Sequence, residues 1–310
     1  MKKLTTTLLL LIISQSTAFA KGIDYSRFFI DFNIDNGKIN PSAFLPYYWN
    51  DNIFSGIGIH TSTTQDNGTV SGFSDSRIGS SVQDNRLKLN LLSYEMPSGN
   101  IKYNVGGDIE QIDIDKLEFG FLQMPTNLGG DLVAFDNQIN IKVLRPTIHG
   151  DITWNPAGGA FSIRTGANLY PISSLTVDQE TRFKPIISST GTSSGSKDQD
   201  LSYSLNLEMI YKTTTWADFL VTADYEFLPL KYDLAVLSVV NNQFVFTSSS
   251  IDTEDTTLRY SFRIVLKKLM DNLRPVIGYN FEKVKSKDKT SGSSSSKNNN
   301  FLVIGIENRF

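Results

Sequence analysis

The chain has 310 residues and no cysteine. No disulfide can staple it and no thiol can carry a lipid anchor, so its stability must come from burial and backbone hydrogen bonding over a large fold. There are only two histidines, His60 and His149. A zinc centre needs three or four ligands at recognisable spacing, and none is visible, so no metal, cofactor or catalytic site is assigned. Beyond the first twenty residues no stretch approaches the ~20 consecutive apolar residues of a membrane-crossing helix. The long helical stripes of an α/β enzyme are missing too. Basic charge is not in excess: the net charge is −3, which argues against a nucleic-acid partner.

What is present starts at the first residues. Lys2 and Lys3, an apolar run over 8–13 and then Ala18-Phe19-Ala20 form the charge, apolar core and small-x-small pattern of a secretory signal, with cleavage expected after Ala20. Losing those two lysines takes the net charge to −5. Residues 21–310 then read as one domain. Aromatic residues are plentiful, with 20 Phe, 12 Tyr and 3 Trp, and apolar and polar residues alternate with period two over many short stretches.

Twelve strands are expected, at 25–34, 42–49, 53–63, 85–94, 101–111, 139–154, 160–170, 201–212, 216–227, 256–267, 273–284 and 299–310. Pro46 weakens the second, because proline removes a ladder donor. The alternation is cleanest late in the chain. Leu205, Leu207 and Met209 oppose Asn206 and Glu208; Phe219, Val221 and Tyr225 oppose Asp218, Asp224 and Glu226; Tyr260 and Phe262 oppose Arg259, Arg263 and Lys267. Short turns near 50, 98, 157, 214 and 270 alternate with long links at 64–84, 112–138, 171–200, 228–255 and 285–298.

The closing strand puts Leu302, Ile304 and Ile306 on one face, Val303 and Gly305 on the other, and ends on Phe310. A terminal strand ending on an aromatic residue, behind an export signal, resembles the assembly signal of Gram-negative outer-membrane β-barrels, with Gly305 and Phe310 carrying the match. The resemblance implies an all-β fold: a closed antiparallel transmembrane barrel of about 12 strands (10–14), with short periplasmic turns and long external loops. It also implies an outer-membrane location. The expected partners are outer-membrane lipid and lipopolysaccharide, the barrel-assembly machinery and periplasmic chaperones, with a small polar solute to be carried and a monomeric state. Closure follows from physics as well, since a sheet edge exposed to lipid leaves backbone groups unpaired.

The links carry further expectations. The low-complexity runs 188–200 and 285–300 are expected to be mobile. Segment 228–255 is expected to extend two strands as a protruding hairpin or to fold over the mouth. Segment 112–138 is expected to form a constriction inside the barrel or to add two strands.

The candidate lumen wall comprises Arg86, Lys88, Lys102, Asp108, Glu110, Arg145, His149, Asp151, Arg164, Glu208, Asp218, Asp224, Glu226, Arg259, Arg263 and Lys267. Charges of both signs on neighbouring strands can pair across the wall. His149 is expected to bond Asp151 or its neighbours. Such a wall suits a narrow pore for small polar or zwitterionic solutes. Two alternatives stand beside it: a non-conducting surface protein or adhesin acting through its external loops, and, with no nucleophile motif in view, a barrel hydrolase.

Overall fold

The structure is a computed structural model that describes residues 22–23, 28–35, 38–68, 77–123, 132–156, 159–184, 190–213, 216–240, 243–267 and 274–308. The export signal and Phe310 lie outside the described residues. Among the described residues every regular element is a strand: β1 (Gly22–Ile23), β2 (Phe28–Asp35), β3 (Lys38–Tyr48), β4 (Ile53–Gly68), β5 (Arg77–Ser98), β6 (Ile101–Gln123), β7 (Leu132–Trp154), β8 (Phe161–Tyr170), β9 (Ser173–Lys184), β10 (Thr190–Gln199), β11 (Ser202–Lys212), β12 (Ala217–Val240), β13 (Gln243–Leu266), β14 (Arg274–Asp288) and β15 (Ser294–Asn308).

Neighbours in sequence pair antiparallel around the wall, β15 pairs with β2, and the sheet closes. The fifteen segments make twelve barrel strands because three are continuations. β1 runs along the same edge of β3 as β2 does. β10 continues β11: Gln199 faces Ser173 and Ser202 faces Tyr170, so the register passes through the interruption unchanged. β9 continues β8 along β7 with one extra residue, since Leu144 faces Ser174 while Ile148 faces Leu169. That bulge falls at Pro171-Ile172, where proline has no N–H for the ladder.

The start of β2, the end of β15 and the connections after β3, β5 and β7 share one end of the barrel, called the lower end. Gly99 turns there with φ of 59°, a conformation that suits a residue without Cβ. The upper hairpins are tall at β4–β5, β6–β7, β9–β10 and β12–β13, and low at β2–β3, where only 36–37 separate the strands.

The two low-complexity runs form strands, not mobile loops: Thr190–Gln199 is β10, and the second run continues β14 and β15 around a turn at Gly292. Backbone pairing, which is indifferent to side-chain composition, supplies what the serines cannot. Among the described residues, the halves of segment 112–138 lengthen β6 and β7 and do not enter the lumen as a constriction. Segment 228–255 likewise lengthens β12 and β13 into a standing hairpin.

One seam interrupts the ladder. β11 pairs with β12 up to Tyr203 opposite Phe227, and the next ladder position on β12 belongs to Pro229. Above it β10 and β12 lie side by side without pairing, and side chains bridge them. Gln199 Nε2 donates to the Lys231 carbonyl (2.9 Å), and the Lys231 N–H donates to Gln199 Oε1 (2.6 Å). Gln179 from β9 does the same for Ala235, at 3.0 and 2.7 Å. Ion pairs Lys197–Asp233 and Lys231–Asp200, each 2.7 Å, complete the closure.

Candidate functional site

The site is the lumen, and β7 shows its layering. Reading the inward side chains downward gives Ile139, Ile141 and Val143, then Arg145, then Thr147, His149, Asp151 and Thr153. β6 repeats the sequence with Ile114 and Ile112, then Glu110, then Asp108, Gly106, Asn104 and Lys102. β12 does so with Leu230 and Leu228, then Glu226, then Asp224 and Thr222. Three layers result.

The uppermost is apolar. Ile112, Ile139, Ile141, Val143, Leu175, Val177 and Leu230 are buried together, with Leu228, Tyr232 and Leu234 packed against them. β9 thus meets β12 inside the upper wall and closes the space above the lumen.

Beneath it lies an ionic strut. Arg145, 1 % exposed, bonds Glu110 through Nε (2.7 Å) and Glu226 through Nη2 (2.6 Å). Glu226 also receives Arg86 at 3.6 Å and Arg259 at 3.4 Å. Arg86 stands on β5 and Glu226 on β12, five strands apart around the wall, so the strut crosses the lumen. The Arg145 guanidinium lies 4.0 Å from the centre of the Tyr170 ring. Asp84 holds Arg86 at 2.9 Å, and Glu282 holds Arg259 at 2.7 Å.

Below the strut is a cavity of about 600 Å³ that reaches from Arg86 and Glu110 down to Asn155 and Lys212 at the lower rim. A second cavity of about 190 Å³ lies beside it, among Asn33, Asn40, Arg259, Arg263 and Asn280.

Neither a protein-family model nor a curated protein sequence matches the chain. Solved structures do. The translocator domain of autotransporter NalP from Neisseria meningitidis is similar over 100 % of this chain and 95 % of that one, with a TM-score of 0.53 at 11 % identity. The fold is that of a Gram-negative outer-membrane β-barrel. Weaker likenesses include the beta domain of the Bordetella autotransporter BrkA (TM-score 0.46, 10 % identity, 84 % of this chain and 99 % of that). Another is the toluene transporter TodX of Pseudomonas putida (0.41, 10 %, 93 % and 90 %).

An outer-membrane barrel needs an apolar belt, and one is present. Outward and exposed are Tyr103 and Val105 on β6, Leu144, Ile148, Ile152 and Trp154 on β7, Leu205 and Leu207 on β11, Tyr260 and Phe262 on β13, and Leu302 and Ile304 on β15. The belt ends near Ile109 and Leu144, level with the strut.

The structure distributes the sixteen candidate residues as follows. Lys88, Lys102, Asp108, His149, Asp151, Arg164 and Glu208 border the larger cavity, with Arg86 and Glu110 at its top. Asp224, Arg259 and Arg263 border the smaller one. Arg145 and Glu226 are buried in the strut. Asp218 and Lys267 pair at 2.6 Å near the lower end, with Arg274 3.4 Å from the same carboxylate. Gly305 faces Asp31, and a Cβ there would sit 2.5 Å from the Ile30 carbonyl.

His149 bonds not Asp151 but neighbours on the adjoining wall. Its Nδ1 lies 3.0 Å from Asp108 and its Nε2 3.0 Å from Ser93 Oγ. A carboxylate only accepts, so Nδ1 carries a proton and donates to Asp108. Asn90 donates to both Ser93 Oγ (2.7 Å) and Asp108 (2.6 Å). Gly106 makes room, since a Cβ there would meet the His149 ring at 2.6 Å. Alternation alone would point Ser93 outward; the bulge at Leu91, which leaves Leu91 and Leu92 both exposed, turns Ser93 and Glu95 into the lumen. Asp151 is held instead by Arg164, at 3.0 and 2.8 Å, and by Asn104 at 2.8 Å. Among the described residues no cluster of three or more potential metal ligands occurs.

Proposed function

We propose that the protein is an outer-membrane channel for small polar solutes, closed at its outer end in this structure. The lower end is then periplasmic. The observation that carries the reading is the polar chamber below the strut, about 600 Å³ and continuing to the lower rim. A barrel filled for rigidity alone would leave no such space, and twelve strands stand between the packed eight-stranded and the open sixteen-stranded barrels. The strut supports a closure that can open. Of the two layers at the outer end, the ionic one costs desolvation that the apolar one above it avoids, so Arg145 and Glu226 are the part suited to opening. The reading implies lipopolysaccharide and outer-membrane lipid around the wall, assembly through the barrel machinery and its chaperones, and a monomer.

Recordings in planar bilayers test it. Wild type is expected to show brief, small openings, and Glu226→Gln a larger open fraction. Silence of both at every voltage overturns the channel.

A second reading, a surface protein acting through its upper part, is favoured by the packed extension and by Leu117, Phe119 and Phe121, all exposed on the outer face of β6 far above the belt. Shortening the β6–β7 hairpin would then abolish attachment to a surface and leave conductance unchanged.

Catalysis is not part of the proposal. Ser93, His149 and Asp108 stand in the order of a nucleophile, its base and an orienting carboxylate. Ser93 is 0 % exposed beneath the His149 ring, and a nucleophile without access to the chamber cannot meet a substrate. The chain fastens β5, β6 and β7 together. Ser93→Ala, and a double His60→Ala/His149→Ala variant, are expected to retain every phenotype.

A further inference from the structure

The chamber's polar groups divide into those already used and those left over, and the remainder has a chemical character. Its cations are taken: Lys88 by Asp108 (2.8 Å), Lys102 by Glu95 (3.2 Å), Arg164 by Asp151 and Arg86 by Asp84. Among the described residues bordering the chamber, only Lys212, at the lower rim, has a cationic head without a carboxylate. Asn90 and Asn104 are buried in the wall, with Nδ2 spent on a carboxylate or hydroxyl and Oδ1 sealed from the chamber. What is left over is a neutral amide. Asn206, on β11, makes no side-chain hydrogen bond among the described residues. An unmet amide oxygen wants a donor, and a hydroxyl supplies one without charge.

The facing wall is apolar. Phe29 and Phe44 are paired across β2 and β3, their rings 6.3 Å apart and within 25° of parallel, and both border the chamber. Phe44 is kept against β4 by two inward glycines: a Cβ at Gly56 would meet its ring at 2.7 Å, and one at Gly58 at 3.4 Å. β3 and β11 are six strands apart in either direction. The aromatic plate and Asn206 are therefore opposite one another, with Asn90 and Asn104 on the wall between.

We propose that the chamber takes a neutral saccharide, its C–H face on the Phe29–Phe44 plate and a hydroxyl donating to the amide oxygen of Asn206 on the facing wall. This rests on the channel reading for the route but not for the binding. An apolar surface facing a few fixed polar groups is how small-molecule sites set orientation. An anion finds no free cation in the chamber above Lys212 at the lower rim.

Titration calorimetry on the full-length mature protein in detergent, with glucose, maltose, glycine betaine and inorganic phosphate, tests the ligand class. Maltose or glucose is expected to bind, and betaine and phosphate are not. Phe44→Leu and Asn206→Ala are each expected to weaken binding roughly tenfold, about 1.4 kcal/mol. Both variants should retain the heat-dependent gel shift of a folded barrel. Overturning results are three: no saccharide binds, betaine or phosphate binds as well as the sugars, or both folded variants bind sugar as wild type does. Conductance recorded on the same preparation separates the two proposals. Sugar binding by a silent barrel removes the route and keeps the site, and conductance without sugar binding removes the site and keeps the route.

Discussion

The belt and the upper extension are built from the same strands with opposite polarity. On β6 the outward side chains run Tyr103, Val105 and Ile109 and then change to Gln111, Asp113 and Asp115; the inward ones run Lys102, Asn104, Asp108 and Glu110 and then change to Ile112 and Ile114. β7 changes at the same level, from Ile148 and Leu144 to Lys142 and Asn140 outside, and from His149 and Arg145 to Val143 and Ile141 inside. Neither strand bulges there, so the faces keep their directions while their surroundings change. Below the change the outward side chains form the apolar belt and the inward ones line the polar cavity. Just above it, over 111–115 of β6 and 139–143 of β7, the outward side chains are polar and the inward ones apolar, as packing within the upper wall requires; higher on β6 the outward face turns apolar again at Leu117, Phe119 and Phe121. The strut sits at the change, where neither filling is complete.

The comparison can be broken most severely at the strut. Glu226→Ala leaves Arg86, Arg145 and Arg259 short of a shared carboxylate and is expected to cost about 3–5 kcal/mol in urea-driven unfolding from vesicles. A matched pair on one face of β7 sharpens it. Ile148→Arg, in the belt, should cost about 2–4 kcal/mol. Gln138→Arg, ten residues higher on the same face, should stay within about 0.5 kcal/mol. Equal costs would mean that both positions see the same solvent.

The seam gives the next effect down. Gln199→Ala strands the Lys231 backbone groups at a cost of about 1–3 kcal/mol. Faster proteolysis of the β9–β10 hairpin, with the belt still protected, is the measurement. The smallest effect is on pH. Hydrogen bonds from Lys197 and then Ser250 hold the Asp233 carboxyl below the usual carboxylate range, and a hydrogen bond from Lys231 does the same for Asp200. A depressed folded value means the pairs contribute fully above the ordinary aspartate pKa of about 3.9. Their contribution is lost as pH falls through the lower folded values. Hairpin protection should therefore be flat from neutral down to about pH 5 and decline only in stronger acid. A decline near neutrality would point to another group.

Much of this was legible in the residues. The inward set on β11 to β13 follows from period two, and the twelve crossings follow from turns and alternation. The change of polarity at 110–111 and 143–144 is also written there, although it reads as a loop boundary until the strands are known to continue. Ser93 and Glu95 were hidden because the bulge at Leu91 reverses the parity on which such reading depends. Asn90, Asn104 and Phe44 were hidden for another reason: they carry no charge to draw attention. The serine-rich run of β10 was misread because composition reports what side chains can bury, whereas that strand is held by the backbone of β9 and by Gln199.

By itself the sequence determined which side chains share a face, since two-residue periodicity is a local property of extended backbone. It also set how many crossings there are, because each needs its own apolar row. Only the closed barrel decided that Arg86, Arg145 and Glu226, up to 140 residues apart, meet in one strut and that Asn206 stands across a chamber from an aromatic plate. Such contacts depend on the circumference and stagger of the whole ring, which no single strand contains.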